Sequence, residues 1–277
     1  MKNHFKKNGA KLGKLYIIIS ASSDIGYELT KRLVAQGAKV IGTYRTMNSR
    51  LQDLEALGVK LYPWNAKEST GENFYQWLKA LNITWNGLII CHGTLQPIGK
   101  FKDIEFSEWS QSLAINFTSS LEILHKLLPL RNLAQETSPT VLFFAGGGTN
   151  SAPTRYSAYT ISKIALIKMC ELLQEEIPDT RFTILGPGWV KTKIHQETLQ
   201  AGMEQAGEAF YKTQEMLSSN DQPWVSMDKV IDCCLWALRS CAVGGRNISV
   251  AHDPWESPEL EERLKSDSNL FKLRRKQ

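Results

Sequence analysis

Tyrosine and lysine stand four residues apart three times in this 277-residue chain, at Tyr27/Lys31, Tyr75/Lys79 and Tyr159/Lys163. On a helix that spacing puts both side chains on one face, a turn apart. An ammonium so placed stabilises tyrosinate and lowers the phenol from its usual pKa of ~10. The phenol can then exchange a proton with a substrate oxygen near neutral pH. Spacing does not choose among the three, but context does. The first pair lies inside an early helix and the second on an outer helix, both expected to face solvent. Only Tyr159/Lys163 follows an apolar strand, residues 141–144, through a glycine-rich loop, and opens a long helix behind Ser157 and Ala158.

The elements that must position this pair alternate in type. Apolar runs of strand length occupy 15–20, 39–43, 59–62, 87–91, 140–145, 181–185 and 247–250. Between them lie helical stretches at 25–36, 49–57, 72–81, 108–133, 156–176 and 227–239. Such alternation predicts one α/β domain over 1–277: a doubly wound parallel sheet of about seven strands with helices on both faces. Residues 1–14 form a basic arm and 252–277 a C-terminal extension. The segment 189–226 breaks the rhythm, being helical in propensity without a strand. Ligands bind beyond the carboxyl ends of such strands, so this segment is either a lid over substrate or a surface insertion.

After the first strand the chain reads Ser20-Ala21-Ser22-Ser23-Asp24-Ile25-Gly26 and runs into a helix. Small residues permit a tight turn, and the free N–H groups of the helix start suit a pyrophosphate. An ordinary turn capped by Ser23 or Asp24 is the alternative. The second strand ends at Tyr44 and Arg45. An acid at this place bonds the ribose hydroxyls of NAD, whereas an arginine suits the extra phosphate of NADP. NADP is therefore expected over NAD.

These segments together resemble the short-chain dehydrogenase/reductase family, and the resemblance runs from about Leu15 to Val250. Ile19, Ser20 and Asp24 stand where the family's first motif has threonine and two glycines. Asp24 is a departure, since a carboxylate repels phosphate unless it turns away. The resemblance implies a Rossmann fold with cofactor contacts at Ser20, Ser22, Ser23, Ile25, Gly26, Tyr44 and Arg45. It adds Asn65 and Ala66 beside the adenine, and His92 and Gly93 in place of the end of an Asn-Asn-Ala-Gly motif. Pro187, Gly188, Val190 and Thr192 match a Pro-Gly segment whose threonine holds the nicotinamide carboxamide. Tyr159, Lys163 and Asn116 match the catalytic group, with Asn116 holding a water that links the lysine to solvent. The family's substrate-binding serine stands thirteen residues before the tyrosine, and here that position is Gly146. Thr149 or Ser151 could replace it, or a backbone N–H exposed by the glycines.

The implied activity is hydride transfer between NAD(P) and a carbonyl or secondary alcohol. The chain's ending resembles a bacterial branch associated with polysaccharide and sugar modification, which implies a sugar or nucleotide-sugar substrate. A dinucleotide-binding sensor or scaffold with impaired chemistry is the main alternative, and a nucleotide-sugar epimerase or dehydratase a lesser one. Resemblance also implies a homodimer or homotetramer built on the helices at 108–133 and 156–176.

Composition narrows the remaining classes. Hydrophobic residues are 42% and charged residues 22%, the balance of a soluble globular chain. No apolar run is long enough to span a bilayer, and the basic N-terminus lacks the apolar stretch of a signal peptide. A cytoplasmic protein that binds neither membrane nor nucleic acid is expected, the net charge of +5 arising from solvated basic ends. Five cysteines lack metal-ligand spacing and read as buried free thiols. The histidines are scattered, and no metal site is expected.

Overall fold

The computed structural model describes residues 13–68, 70–134, 137–219 and 224–275. The basic arm therefore lies almost wholly outside the described residues. Seven strands, β1 (Leu15–Ile19), β2 (Lys39–Tyr44), β3 (Lys60–Pro63), β4 (Gly87–Ile90), β5 (Thr140–Phe144), β6 (Arg181–Gly186) and β7 (Arg246–Ser249), form one sheet in the order β3-β2-β1-β4-β5-β6-β7. Every pairing is parallel. The strands read as unbroken apolar runs because both faces of the sheet are covered. Ile17 and Ile19 enter one packing layer with Phe74, Leu78 and Phe143, while Ile18 enters the other with Leu29, Leu142 and Leu235. Each such side chain contributes about 1.5–3 kcal/mol on burial.

The helices on these faces include α1 (Asp24–Ala35), α2 (Ser49–Ala56), α3 (Glu72–Ala80), α6 (Ser157–Glu176) and α9 (Met227–Arg239). The helix expected at 108–133 is divided instead. It comprises α4 (Phe106–Leu113), a wide π turn (Ala114–Thr118), α5 (Ser119–Leu127) and a short 3₁₀ turn (Leu128–Leu130). Apolar period alone does not reveal a π turn, which is defined by its backbone hydrogen bonds and not by residue type. Pro129 stops α5, having no N–H to give. The segment 189–226 holds α7 (Ile194–Ala206), bent at Gly202, and α8 (Glu208–Ser218), with Gly207 at a φ of 61° between them.

The C-terminal extension carries α10 (Pro258–Ser266) and packs Trp255, Leu260 and Leu264 into the layer shared by α1 and α9. Buried Arg246 fastens it by donating to the carbonyls of Leu264, Asp267 and Leu270. Of the cysteines, Cys170, Cys233 and Cys234 are buried free thiols, but Cys91 is half-buried and Cys241 is exposed. Cys241 follows the end of α9 in a loop, beyond the apolar stripe that buries Cys233 and Cys234. Among the described residues no helix is long and apolar enough to cross a membrane, and no cluster of His, Cys, Asp or Glu could hold a metal.

Candidate active site

A cleft of about 1540 Å³ opens over the carboxyl ends of β1, β4, β5 and β6. It covers the point where strand order reverses between β1 and β4, the ligand position of open parallel sheets. One wall is the turn after β1. Ser20 takes a left-handed backbone (φ 67°) and donates its N–H to Thr43 Oγ1 at 2.9 Å. Ser23 caps α1, its hydroxyl accepting from the Gly26 N–H at 3.1 Å. A Cβ at Gly26 would lie 2.5 Å from the Ser20 carbonyl oxygen, so this tight turn requires glycine there. Ser20, Ser22, Ser23 and Ile25 line the cleft, while Gly26 supports them from behind.

Arg45 also lines the cleft. Tyr44 does not: it is the last residue of β2, in register with Pro63, and the wall begins one residue later. Asn65 and Ala66 line the next stretch, where Asn65 Oδ1 accepts from the Lys67 N–H at 3.1 Å. The rings of Trp64 and His92 meet edge to face, their centroids 5.3 Å apart. His92 Nε2 lies 2.9 Å from Ser119 Oγ and 3.1 Å from the Ile115 carbonyl. Burial, reinforced by the Lys163 charge, pushes the imidazole down to about 3, so His92 is neutral and a weak base. Buried atoms His92 Nδ1 and Trp64 Nε1 have no partner among the described residues.

Tyr159 and Lys163 stand in the first two turns of α6 and both line the cleft. Lys163 is only 6% exposed and donates to the Phe144 carbonyl at 3.0 Å. Burial pulls its ammonium down to about 8. Its Nζ lies 5.7 Å from the centroid of the Tyr159 ring. The expectation of a lowered phenol is not met. Burial is the larger effect, and with the nearby Glu197 carboxylate it lifts Tyr159 to about 12. The ring packs against a small apolar group, Leu95, Ile98 and Ala206, of which Ala206 comes from α7.

Gly146 lies directly beneath that ring. A Cβ there would stand 2.5 Å from Tyr159 Cε1 and 2.6 Å from its hydroxyl. In this conformation the tyrosine occupies space that a serine side chain would need. Thr149 and Ser151 line the same cleft.

Asn116 is fully buried in the π turn and does not line the cleft. Its Oδ1 accepts from the Thr94 N–H at 2.9 Å and its Nδ2 donates to the Thr94 carbonyl at 2.9 Å. The side chain is thus committed to the loop after β4. Gly93 makes this approach possible, since a Cβ there would fall 3.1 Å from Asn116 Oδ1 and 3.7 Å from Lys163 Nζ. Pro187, Gly188, Val190 and Thr192 line the wall after β6, with Gly188 at a φ of 75°.

Two carboxylates join the walls, and sequence reasoning left out one of them, Glu197. Glu197 on α7 accepts from Thr94 Oγ1 at 2.8 Å, the Leu95 N–H at 2.7 Å and the Gln96 N–H at 3.2 Å. Asp24, itself on the cleft wall, is held by Arg50 at 2.8 Å and by the Lys193 N–H at 2.7 Å. Both bonds span long sequence separations, and no motif spacing announces Glu197. The departure at Asp24 was visible, but its partners were not.

Glycine cradles, a buried ammonium and unpartnered Trp64 and His92 atoms in one switch-point cleft fit a dinucleotide. The fold and cleft thus define a dinucleotide-binding α/β protein. A family model described as short chain dehydrogenase matches residues 14–202. D-beta-hydroxybutyrate dehydrogenase of Cupriavidus necator is 22% identical over 218 residues, covering 76% of this chain and 84% of that one. The (S)-benzoin-forming benzil reductase of Saccharomyces cerevisiae is 26% identical over 230 residues, covering 74% and 86%. The crystal structure of the KRED1-Pglu enzyme superposes with a TM-score of 0.73 at 21% identity, covering 85% of this chain and 100% of that one. This chain belongs to the short-chain dehydrogenase family, whose members are NAD(P)-dependent dehydrogenases and reductases acting on carbonyl or alcohol substrates. These matches carry no evidence for the sugar-modification branch suggested by the chain's ending.

Proposed function

We propose that the protein reduces a carbonyl substrate at the expense of NADPH, with Tyr159 as the general acid. The observation that carries this reading is the meeting of Tyr159 and buried Lys163 on one cleft wall, beside Gly93. The nicotinamide, when bound, supplies the hydride. With its pKa at about 12 the Tyr159 phenol holds its proton at neutral pH, ready to give it to the substrate oxygen. In the reverse oxidation the same oxygen takes the proton back. Lys163 places its ammonium 5.7 Å from the centre of the Tyr159 ring and would bond the nicotinamide ribose. Asn116 fixes the Thr94 loop over the lysine, and Thr192 would hold the carboxamide.

Ser20, Ser22, Ser23 and Ile25 would face the phosphates, and Asn65 and Ala66 the adenine. Arg45 supports the preference for NADP, being a cleft-lining guanidinium with no ion pair among the described residues. Helices α7 and α8 act as the substrate lid, and a sugar or nucleotide sugar is the substrate to offer first. Titration with NADPH and NADH, followed by a panel of ketones, oxo sugars and sugar alcohols, tests the reading. Tighter binding of NADPH and turnover of a panel member are expected. A dinucleotide-binding sensor is the second reading, favoured by Gly146 in the place of a serine. Tight binding without turnover of any panel member would select it.

A homodimer or homotetramer is proposed on α4 and α6, where Phe106, Ile161 and Leu172 are exposed apolar side chains. Light scattering at a monomer's mass would refute this.

A further inference from the structure

We propose that Asp24 is a positioning residue that ties the turn after β1 to the start of the lid. The inference rests on reading this turn as the phosphate-facing wall of a dinucleotide cleft. A carboxylate at the first residue of α1 sits where the helix dipole favours negative charge, the place a phosphate would also take. Left to itself it would repel that phosphate. Two contacts engage it at the cleft wall.

Oδ1 meets Arg50 Nη2 at 2.8 Å, and only 15% of the Asp24 side chain and 29% of the Arg50 side chain remain exposed. Arg50 also donates to the Ser22 carbonyl at 3.3 Å and lies 5.2 Å from the centroid of the Tyr27 ring. The guanidinium therefore braces the turn and offsets the carboxylate charge at once. Oδ2 accepts from the Lys193 N–H at 2.7 Å, across 169 residues of chain. A charge-assisted bond of this length is roughly twice as strong as a neutral one.

Lys193 follows Thr192 and immediately precedes α7. Its amide is the hinge between the wall after β6 and the lid. Fixing that amide to α1 holds Thr192 at the cleft wall and sets where α7 begins. From α7, Glu197 then reaches the loop at Thr94–Gln96 on the other side. The glycine that the family motif has at this position would leave the tie unmade. In this chain the departure at Asp24 exchanges open space beside the phosphates for a lid with a fixed origin.

Hydrogen–deuterium exchange of the full-length protein without cofactor, read on peptides covering residues 189–198, tests the tie. Asp24→Gly removes the acceptor, and the Lys193 amide is expected to exchange at least tenfold faster than in the parent. Asp24→Asn keeps an amide oxygen as acceptor and is expected to retain most of the protection. In parallel, NADPH affinity should fall in Asp24→Gly and recover largely in Asp24→Asn. Unchanged exchange in Asp24→Gly would overturn the proposal, as would equally fast exchange in both variants. Tighter NADPH binding in Asp24→Gly would also overturn it, because the carboxylate would then be only an obstacle. If the parent binds neither NADPH nor NADH, the dinucleotide reading fails, while the exchange comparison still decides the tie.

Discussion

Gly146 and Tyr159 contend for one small volume, and the tyrosine holds it. The ring sits 2.5 Å from where a Cβ on residue 146 would be, closer than two carbons can approach. Gly146→Ala adds no hydroxyl, so it isolates the steric effect. Its methyl should push the ring off its seat and lower kcat at least tenfold, with NADPH affinity within about twofold; steady-state kinetics and fluorescence titration check both. Glu197 acts on the same phenol through its charge, raising the pKa above what burial alone imposes. Glu197→Gln keeps an oxygen for the Leu95 N–H but removes the negative charge, so the phenol should ionise at lower pH. In oxidation, where tyrosinate is the base, the rise of kcat/KM with pH should move to lower pH. In reduction the fall should move the same way. A pH profile of kcat/KM unmoved by Glu197→Gln would exclude the carboxylate as a determinant of the phenol. At this scale Tyr159, Lys163 and Gly146 were legible from their offsets after β5. The charge of Glu197 was not, because it arrives from a segment with no fixed spacing to the tyrosine.

At the scale of elements, the strands were readable because β-branched and aromatic runs are bounded by glycine and small polar residues. The sequence placed their ends within one or two residues. The division of the 108–133 helix escaped, since neither glycine nor proline interrupts the run from Glu108 to Leu128. Yet the π turn is what brings the buried Asn116 side chain within reach of Thr94, in keeping with the association of such turns with functional sites. The C-terminal extension supplies part of one packing layer through Trp255, Leu260 and Leu264. Arg246 is its fastening, a buried guanidinium capping carbonyls at the end of α10 and beyond. Arg246→Met should cost about 1.5–3 kcal/mol and lower the midpoint of urea unfolding. A midpoint equal to that of the parent would mean that α10 is held by its apolar face alone.

For the whole molecule, the alternation of strands and helices specified the sheet, and the sheet specified where a cleft must open. What the sequence withheld was how the walls of that cleft are joined. Asp24, Tyr156 and Arg155 reach the lid, and Glu197 reaches out from it, through bonds between segments distant in the chain. Periodicity and motif order do not encode such bonds, which depend on the register of packed elements. Lys163 and Tyr159 sit on the inner wall of this cleft, and burial dominates the pKa of each. The Tyr159 oxygen is proposed to carry the proton of a nicotinamide-dependent reduction. The most direct test is the rate of NADPH oxidation by Tyr159→Phe on a ketone that the parent reduces, with NADPH binding measured on the same preparation. The expected result is a rate lower by about 10²–10⁴-fold with cofactor binding largely intact. Parental turnover by Tyr159→Phe would contradict the account.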